Sequence, residues 1–182
     1  WGDNRYPGNC SGYLLIDLCA TYQPQRVLDP MEGGGTSREV CADMGIDYAG
    51  YDLHSGTDSL RDEIGAGYDL IFWHPPYHDM KIYSEDARDL SRAGSITAFG
   101  ALLRAGYWRF FELLAPGGRL AILMGDLRRQ GRYEPLTVDV ARLDRSHLEG
   151  IVVKIQHNVS SNKTRYTGAF VPILHETLTI FR

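Results

Sequence analysis

No apolar run in this 182-residue chain approaches the roughly 18 residues needed to cross a membrane. No basic start followed by an apolar stretch marks a secretory leader. A membrane-spanning or exported protein is therefore not expected, and a cytoplasmic location is. Cysteine is scarce: Cys10, Cys19 and Cys41 have neither metal-ligand spacing nor an even-numbered framework. Reduced thiols are expected, with no zinc ribbon, no disulfide scaffold and no bound metal. Positive charge is not in excess either. Lys+Arg number 19 against 23 Asp+Glu, a net charge of −4, which argues against a free-standing nucleic-acid binder. Repeats and low-complexity segments are absent. The chain opens at Trp1 without an initiator Met, so a trimmed fragment is expected.

The charge is unevenly placed. Residues 1–118 carry 9 Lys+Arg against 17 Asp+Glu, and residues 119–182 carry 10 against 6. A phosphate-facing surface is thus expected only in the last third, where a scatter of solvated charges explains the count equally well.

What is present is alternation. Ser11–Tyr22 has helical spacing and Ser11 as its N-cap. Arg26–Leu28 reads as a buried strand, Thr36–Met44 as a helix stopped by Gly45, and Asp47–Tyr51 as a second strand. Tyr68–Trp73 is a third strand, and residues 78–95, without clear period, read as a mobile loop. Ile96–Leu114 reads as a long helix, Pro116–Gly118 as a turn, Arg119–Met124 as a strand and Pro135–His147 as a helix. Ile151–His157 and Glu176–Phe181 close the chain as an antiparallel pair. Trp73 and Trp108 are expected in the core. The fold class is α/β: a mostly parallel twisted sheet with an antiparallel C-terminal strand and helices on both faces. One domain, residues 1–182, is expected, without a separate recognition domain.

Two constellations carry chemistry. Asp29-Pro30-Met31-Glu32-Gly33-Gly34-Gly35-Thr36 lies between a strand and a helix. Its glycines let backbone amides approach a ligand, and Thr36 is expected to cap the helix, whose N-terminus favours an anionic group. Asp52, next to Leu53 after the second strand, is placed to take both hydroxyls of a ribose. Asp58 follows at a spacing suited to an adenine amino group. The dinucleotide Gly-x-Gly-x-x-Gly pattern and a Walker lysine are both missing, which favours adenosine attached to an amino acid over a dinucleotide or triphosphate. The second constellation is His74-Pro75-Pro76-Tyr77. Its prolines stop the strand and hold an aromatic ring at the sheet edge where ligands bind.

Together these motifs resemble the S-adenosylmethionine-dependent DNA amino-methyltransferases that modify adenine N6 or cytosine N4. Tyr6-Pro-Gly-Asn9, Gly125–Tyr133 and His175–Phe181 are similar to other segments of that family, and the ordered set covers most of the chain. The resemblance implies a Rossmann-like class I methyltransferase acting on DNA, adenine N6 before cytosine N4, in a setting such as restriction–modification. It implies that Asp29, Pro30, Met31, Gly33, Gly35 and Thr36 surround the methionine part of S-adenosylmethionine, with Asp52 and Leu53 at the ribose and Asp58 at the adenine. His74 and the Pro75 carbonyl would accept from the target amino group, and Tyr77 would stack on a base flipped out of the duplex.

Arg128, Arg129, Arg132, Lys163 and Arg165 are candidates for phosphate contacts, with ordinary solvated side chains as the alternative. Asn158, Ser160, Ser161 and Asn162 suit either a substrate edge or a hairpin tip. His74 departs from the Asp, Asn or Ser usual in the family. Neutral imidazole keeps one acceptor and imidazolium keeps none, so turnover is expected to fall as pH drops through about 6 to 7. His78 reads as loop or rim. Competing readings are methylation of RNA or a protein amide, and a catalytically silent subunit that binds cofactor or nucleic acid. Only loops 78–95 and 158–168 remain to read sequence, so weak sequence specificity is expected of this chain alone, or recognition supplied by a missing segment or a partner subunit.

Overall fold

The computed structural model describes residues 1–3, 5–155 and 169–182. A six-stranded sheet runs in the order β2-β1-β3-β4-β8-β7, formed by β1 (Arg26–Asp29), β2 (Asp47–Gly50), β3 (Tyr68–Trp73), β4 (Leu114–Gly125), β7 (Leu148–Ile155) and β8 (His175–Phe181). The first four strands are mutually parallel, and β8 runs antiparallel to both β4 and β7. Between β4 and β7 lies a hairpin that the sequence reading did not separate, β5 (Leu127–Arg129) with β6 (Arg132–Glu134). It turns through Gln130 and Gly131, both at positive φ.

Strand β3 and residues 120–124 of β4 are buried on both sides, which is why they read as apolar runs. Alternate residues serve opposite faces. Leu70, Phe72, Ala121 and Leu123 pack with Leu15 and Leu18 of α1 (Gly12–Tyr22) and Val40 of α2 (Thr36–Met44). Ile71, Trp73, Leu120 and Ile122 pack with Phe99, Leu103 and Phe110 of α3 (Ile96–Glu112) and with Leu136 and Val140 of α4 (Leu136–Ala141). Gly106 of α3 lets the Trp73 ring reach the helix backbone: a Cβ there would lie 2.6 Å from the indole and 2.9 Å from Leu60. Gly106→Ala gains about 1 kcal/mol of helix propensity, but overpacking costs about 1–3 kcal/mol. A net loss of about 1 kcal/mol is expected in chemical denaturation.

Several expectations change. Ser11 does cap α1, accepting from the Tyr13 amide, and Gly45 does end α2. Residues 78–95, expected as a mobile loop, are mostly irregular but carry two short 3₁₀ turns, His78–Met80 and Leu90–Arg92, and the buried Asp89 carboxylate accepts from Ser84 N at 2.7 Å and Ser91 N at 2.8 Å. Such side-chain-to-backbone bonds leave no period in a sequence. His78, expected at the rim, is buried, with Nε2 2.9 Å from the Ala93 carbonyl. Pro116–Gly118 lies inside β4 as an excursion between the pairs Tyr68↔Leu114 and Leu70↔Arg119. The helix expected at Pro135–His147 ends at Ala141, and beyond it Asp144 accepts from the Ser146 amide at 2.9 Å. Trp108 is 45% exposed, not core.

Candidate active site

Strand β1 leads to β2 on one side and, by a return across the sheet, to β3 on the other. That reversal opens a crevice at the carboxyl ends of β1 and β3, where ligands bind in open α/β sheets. A cavity of about 530 Å³ sits there, within the range of small-ligand sites. The Asp29–Thr36 loop forms one wall and His74–Tyr77 another; Asp52, Leu53 and Asp58 complete the first side. All the expected cofactor and catalytic residues except Gly35 line this one cavity.

The two loops are held differently from expectation. Thr36 is the first residue of α2 and Gly35, at φ 80°, is its N-cap, so Thr36 caps nothing. Its hydroxyl instead bonds the Asn9 side chain. The glycine loop lies under Asp3 and Tyr6: a Cβ on Gly33 would lie 2.8 Å from the Tyr6 ring, and Asp3 donates its amide to the Gly34 carbonyl at 2.9 Å. The loop is thus roofed by the Tyr6-Pro-Gly-Asn9 segment, with Tyr6 stacked on Tyr83 at 6.0 Å.

Asp29 is buried and accepts from Met31 N at 3.0 Å and Ser37 Oγ at 2.6 Å. Burial lifts its carboxyl to about 7, against the opposing effect of those two bonds, with neighbouring Glu32 and Asp52 raising it further. Asp52 accepts from the Gly33 and His54 amides at 3.1 and 2.8 Å, which ties the two loops of this wall together. Asp58 is buried, accepts from Leu60 N at 3.1 Å and pairs with Arg61. This acidic set suits a ligand that brings positive charge and hydroxyl or amino donors.

At the second wall, the Tyr77 ring lies against the Gly125 backbone; a Cβ there would come within 2.6 Å of the ring. Tyr77 Oη is 2.7 Å from Glu176 Oε1 and 3.0 Å from His74 Nε2. Lys154 pairs with the other oxygen of Glu176. Sequence reasoning did not assign Lys154 and Glu176 to the site. They are cross-strand partners on β7 and β8, and Gly125 of β4 pairs with Glu176 on its other side, so three strands form one row beneath Tyr77. The available signal was a carboxylate inside the expected closing strand Glu176–Phe181, since a buried acid needs a partner. Burial pushes the Glu176 carboxyl upward, but bonds from Lys154 and Tyr77 outweigh it and hold it below its usual range. His74 is pushed down to about 4, chiefly by burial; Glu176 opposes this and Lys154 reinforces it. The protonation of His74 expected at pH 6 to 7 is therefore moved down towards pH 4.

The arginines lie apart from this cavity. The Arg128 guanidinium sits 4.9 Å from the Phe170 ring and 5.6 Å from the Tyr133 ring. Arg129 pairs with Asp79, and Arg132 is exposed on β6. Lys163, Arg165 and the polar run Asn158–Asn162 fall outside the described residues. All three cysteines are free; Cys10 lines the cavity, and burial raises its thiol to about 12. Among the described residues no group of His, Cys, Asp and Glu could hold a metal ion, and no helix is long and apolar enough to cross a membrane.

No protein-family profile matches the chain, and no curated protein matches it. Solved structures do. TrmN from Thermus thermophilus has a TM-score of 0.52 at 20% identity, over 96% of this chain and 49% of that one. The 1,6-didemethyltoxoflavin-N1-methyltransferase of Burkholderia thailandensis, crystallised with 1,6-didemethyltoxoflavin and S-adenosylhomocysteine, has 0.52 at 16% identity, over 92% and 75%. TTHA0409, also from Thermus thermophilus, assigned as a DNA modification methylase and crystallised with S-adenosylmethionine, has 0.47 at 22% identity, over 86% and 55%. The chain spans about half the length of TrmN and of TTHA0409. At such identities the likeness speaks to the fold: a mostly parallel sheet with an antiparallel strand, in the Rossmann-like form of the Burkholderia methyltransferase.

Proposed function

We propose that this chain transfers the methyl group of S-adenosylmethionine to an exocyclic amino nitrogen of a nucleic-acid base, adenine N6 of DNA before cytosine N4. The observation that carries the reading is the meeting of two motifs on one cavity, the acid-and-glycine loop Asp29–Thr36 and His74-Pro75-Pro76-Tyr77. The cofactor supplies a sulfonium-bound methyl group. Asp29, through its carboxylate, suits the cofactor's ammonium, Asp52 its ribose hydroxyls and Asp58 its adenine amino group. The fold neighbour bound to S-adenosylhomocysteine supports that choice of cofactor.

On the substrate side, His74 and the Pro75 carbonyl orient the amino group so that its lone pair faces the methyl carbon. Acceptors there also stabilise the positive charge that develops on nitrogen. Tyr77 offers a ring for stacking an extruded base, and Pro76 stiffens the loop that presents it. Exposed Arg132 is a candidate for phosphate contact, together with Lys163 and Arg165. Radiolabel from methyl-tritiated cofactor is expected in duplex DNA well above RNA or bulk protein. Label confined to RNA or protein would transfer the same chemistry to another acceptor, and cofactor binding without any transfer would favour a silent subunit.

A further inference from the structure

The four side chains Lys154, Glu176, Tyr77 and His74 form a single hydrogen-bonded row from the edge of the sheet into the cavity. Their chemistry fixes the direction of every bond. Glu176 is held ionised by Lys154 and can only accept. Tyr77 has one proton to give, and its short 2.7 Å contact to Glu176 takes that proton. Its oxygen must then accept from His74 across 3.0 Å, so His74 Nε2 carries a hydrogen. A neutral imidazole with Nε2–H keeps a lone pair on Nδ1, and the one hydrogen bond of the His74 ring among the described residues is at Nε2.

We propose that Glu176, set by Lys154 and acting through Tyr77, is a positioning residue that locks His74 in its Nε2–H tautomer and leaves Nδ1 as the acceptor for the substrate amino group. The proposal rests on the methyl-transfer reading and names how that site manages without the family's Asp, Asn or Ser. It also gives the substrate proton a route. As the amino lone pair forms the N–C bond, the C–S bond breaks and its electron pair stays on sulfur. The surplus amino proton passes to His74 Nδ1, the Nε2 proton to Tyr77 Oη, and the Tyr77 proton to Glu176, which releases it to solvent. No oxidant or further reactant is needed. Because the row joins the segment after β3 to β8 and β7, it is assembled only when the antiparallel end of the sheet is in place.

The test uses Glu176→Gln, which keeps the side chain's size but allows it to donate to Tyr77. Tyr77 would then donate to His74 Nε2 and force the proton onto Nδ1. In ¹⁵N-histidine spectra of the whole chain, the His74 signals are identified by their absence in His74→Asn. Wild type is expected to show a protonated Nε2 and a bare Nδ1, and Glu176→Gln the reverse. The same variant is expected to lose about 10- to 100-fold in kcat with an unchanged KM for S-adenosylmethionine, and Glu176→Asp to recover part of it. A wild-type Nδ1–H tautomer, or one tautomer in both proteins, overturns the proposal, as does a switched tautomer with undiminished kcat. Correct tautomers in a protein that methylates no acceptor would support the bond order and contradict the methyl-transfer reading instead.

Discussion

Asp29→Asn is expected to weaken S-adenosylmethionine binding about 10- to 100-fold while making the fold more stable at alkaline pH. Both effects follow from one buried carboxyl. Asp29 accepts from Met31 N and Ser37 Oγ, and burial lifts it to about 7. Its folded value lies above the unfolded value near 3.9, so the folded state holds the proton more tightly. That contribution to stability is full below about pH 4 and is lost as pH rises through 7. The loss approaches a few kcal/mol when the group is forced to ionise. Asn cannot ionise and keeps the acceptor for the Met31 amide, so its denaturation midpoint is expected to stay flat from pH 6 to 9 where the wild type declines. A cofactor cation reverses the balance by favouring the carboxylate, a charge-assisted contact worth about 1.5–3 kcal/mol. Wild-type affinity in calorimetry should therefore rise as pH passes through 7, and the variant should show neither that rise nor the wild-type affinity. Equal affinities in the two proteins would remove Asp29 from the cofactor site.

His74→Ala is expected to lower kcat by about 100- to 1,000-fold and to leave cofactor affinity close to that of the wild type. The loss combines an acceptor that stabilises developing charge with the orientation it gives the amino group. The pH dependence separates His74 from Asp29. Burial holds the imidazole near 4, below its unfolded value of about 6.5. The folded state thus resists protonation, and stability is lost as pH falls from about 6.5 towards 4. Within the range where the protein remains folded, kcat at saturating cofactor should be flat across pH 6 to 7. At low cofactor, kcat/KM should fall below pH 7, because Asp29 must ionise to bind. A kcat limb near pH 6.5 that vanishes in His74→Asn would contradict this account.

Much of the site was legible in the sequence because each half is a local signal. Asp29–Thr36 and His74–Tyr77 each end a strand, and strands buried on both faces announce themselves as apolar runs. Their convergence follows from the position of β1 and β3 as neighbours at the reversal of strand order. The far side of the site was not legible in the same way. Glu176, with Lys154 paired beside it, meets Tyr77 only through the pairing of β4, β8 and β7, and lies 99 residues from Tyr77 along the chain. Thr36 was misassigned as a cap because Gly35, at positive φ, takes that position and frees the hydroxyl for Asn9. The order within residues 78–95 comes from Asp89, Ser84 and Ser91 bonding to nearby amides, which has no helical or strand period. The lowered His74 value depends on burial and on the charges of Glu176 and Lys154, none of which a tetrapeptide displays.

Incubation with isotopically labelled S-adenosylmethionine and a mixture of DNA and RNA, followed by digestion and nucleoside mass spectrometry, tests the central claim most directly. The account predicts label in N6-methyldeoxyadenosine, lost in His74→Ala. Label absent from every nucleoside while the cofactor binds, or label undiminished in that variant, would contradict it.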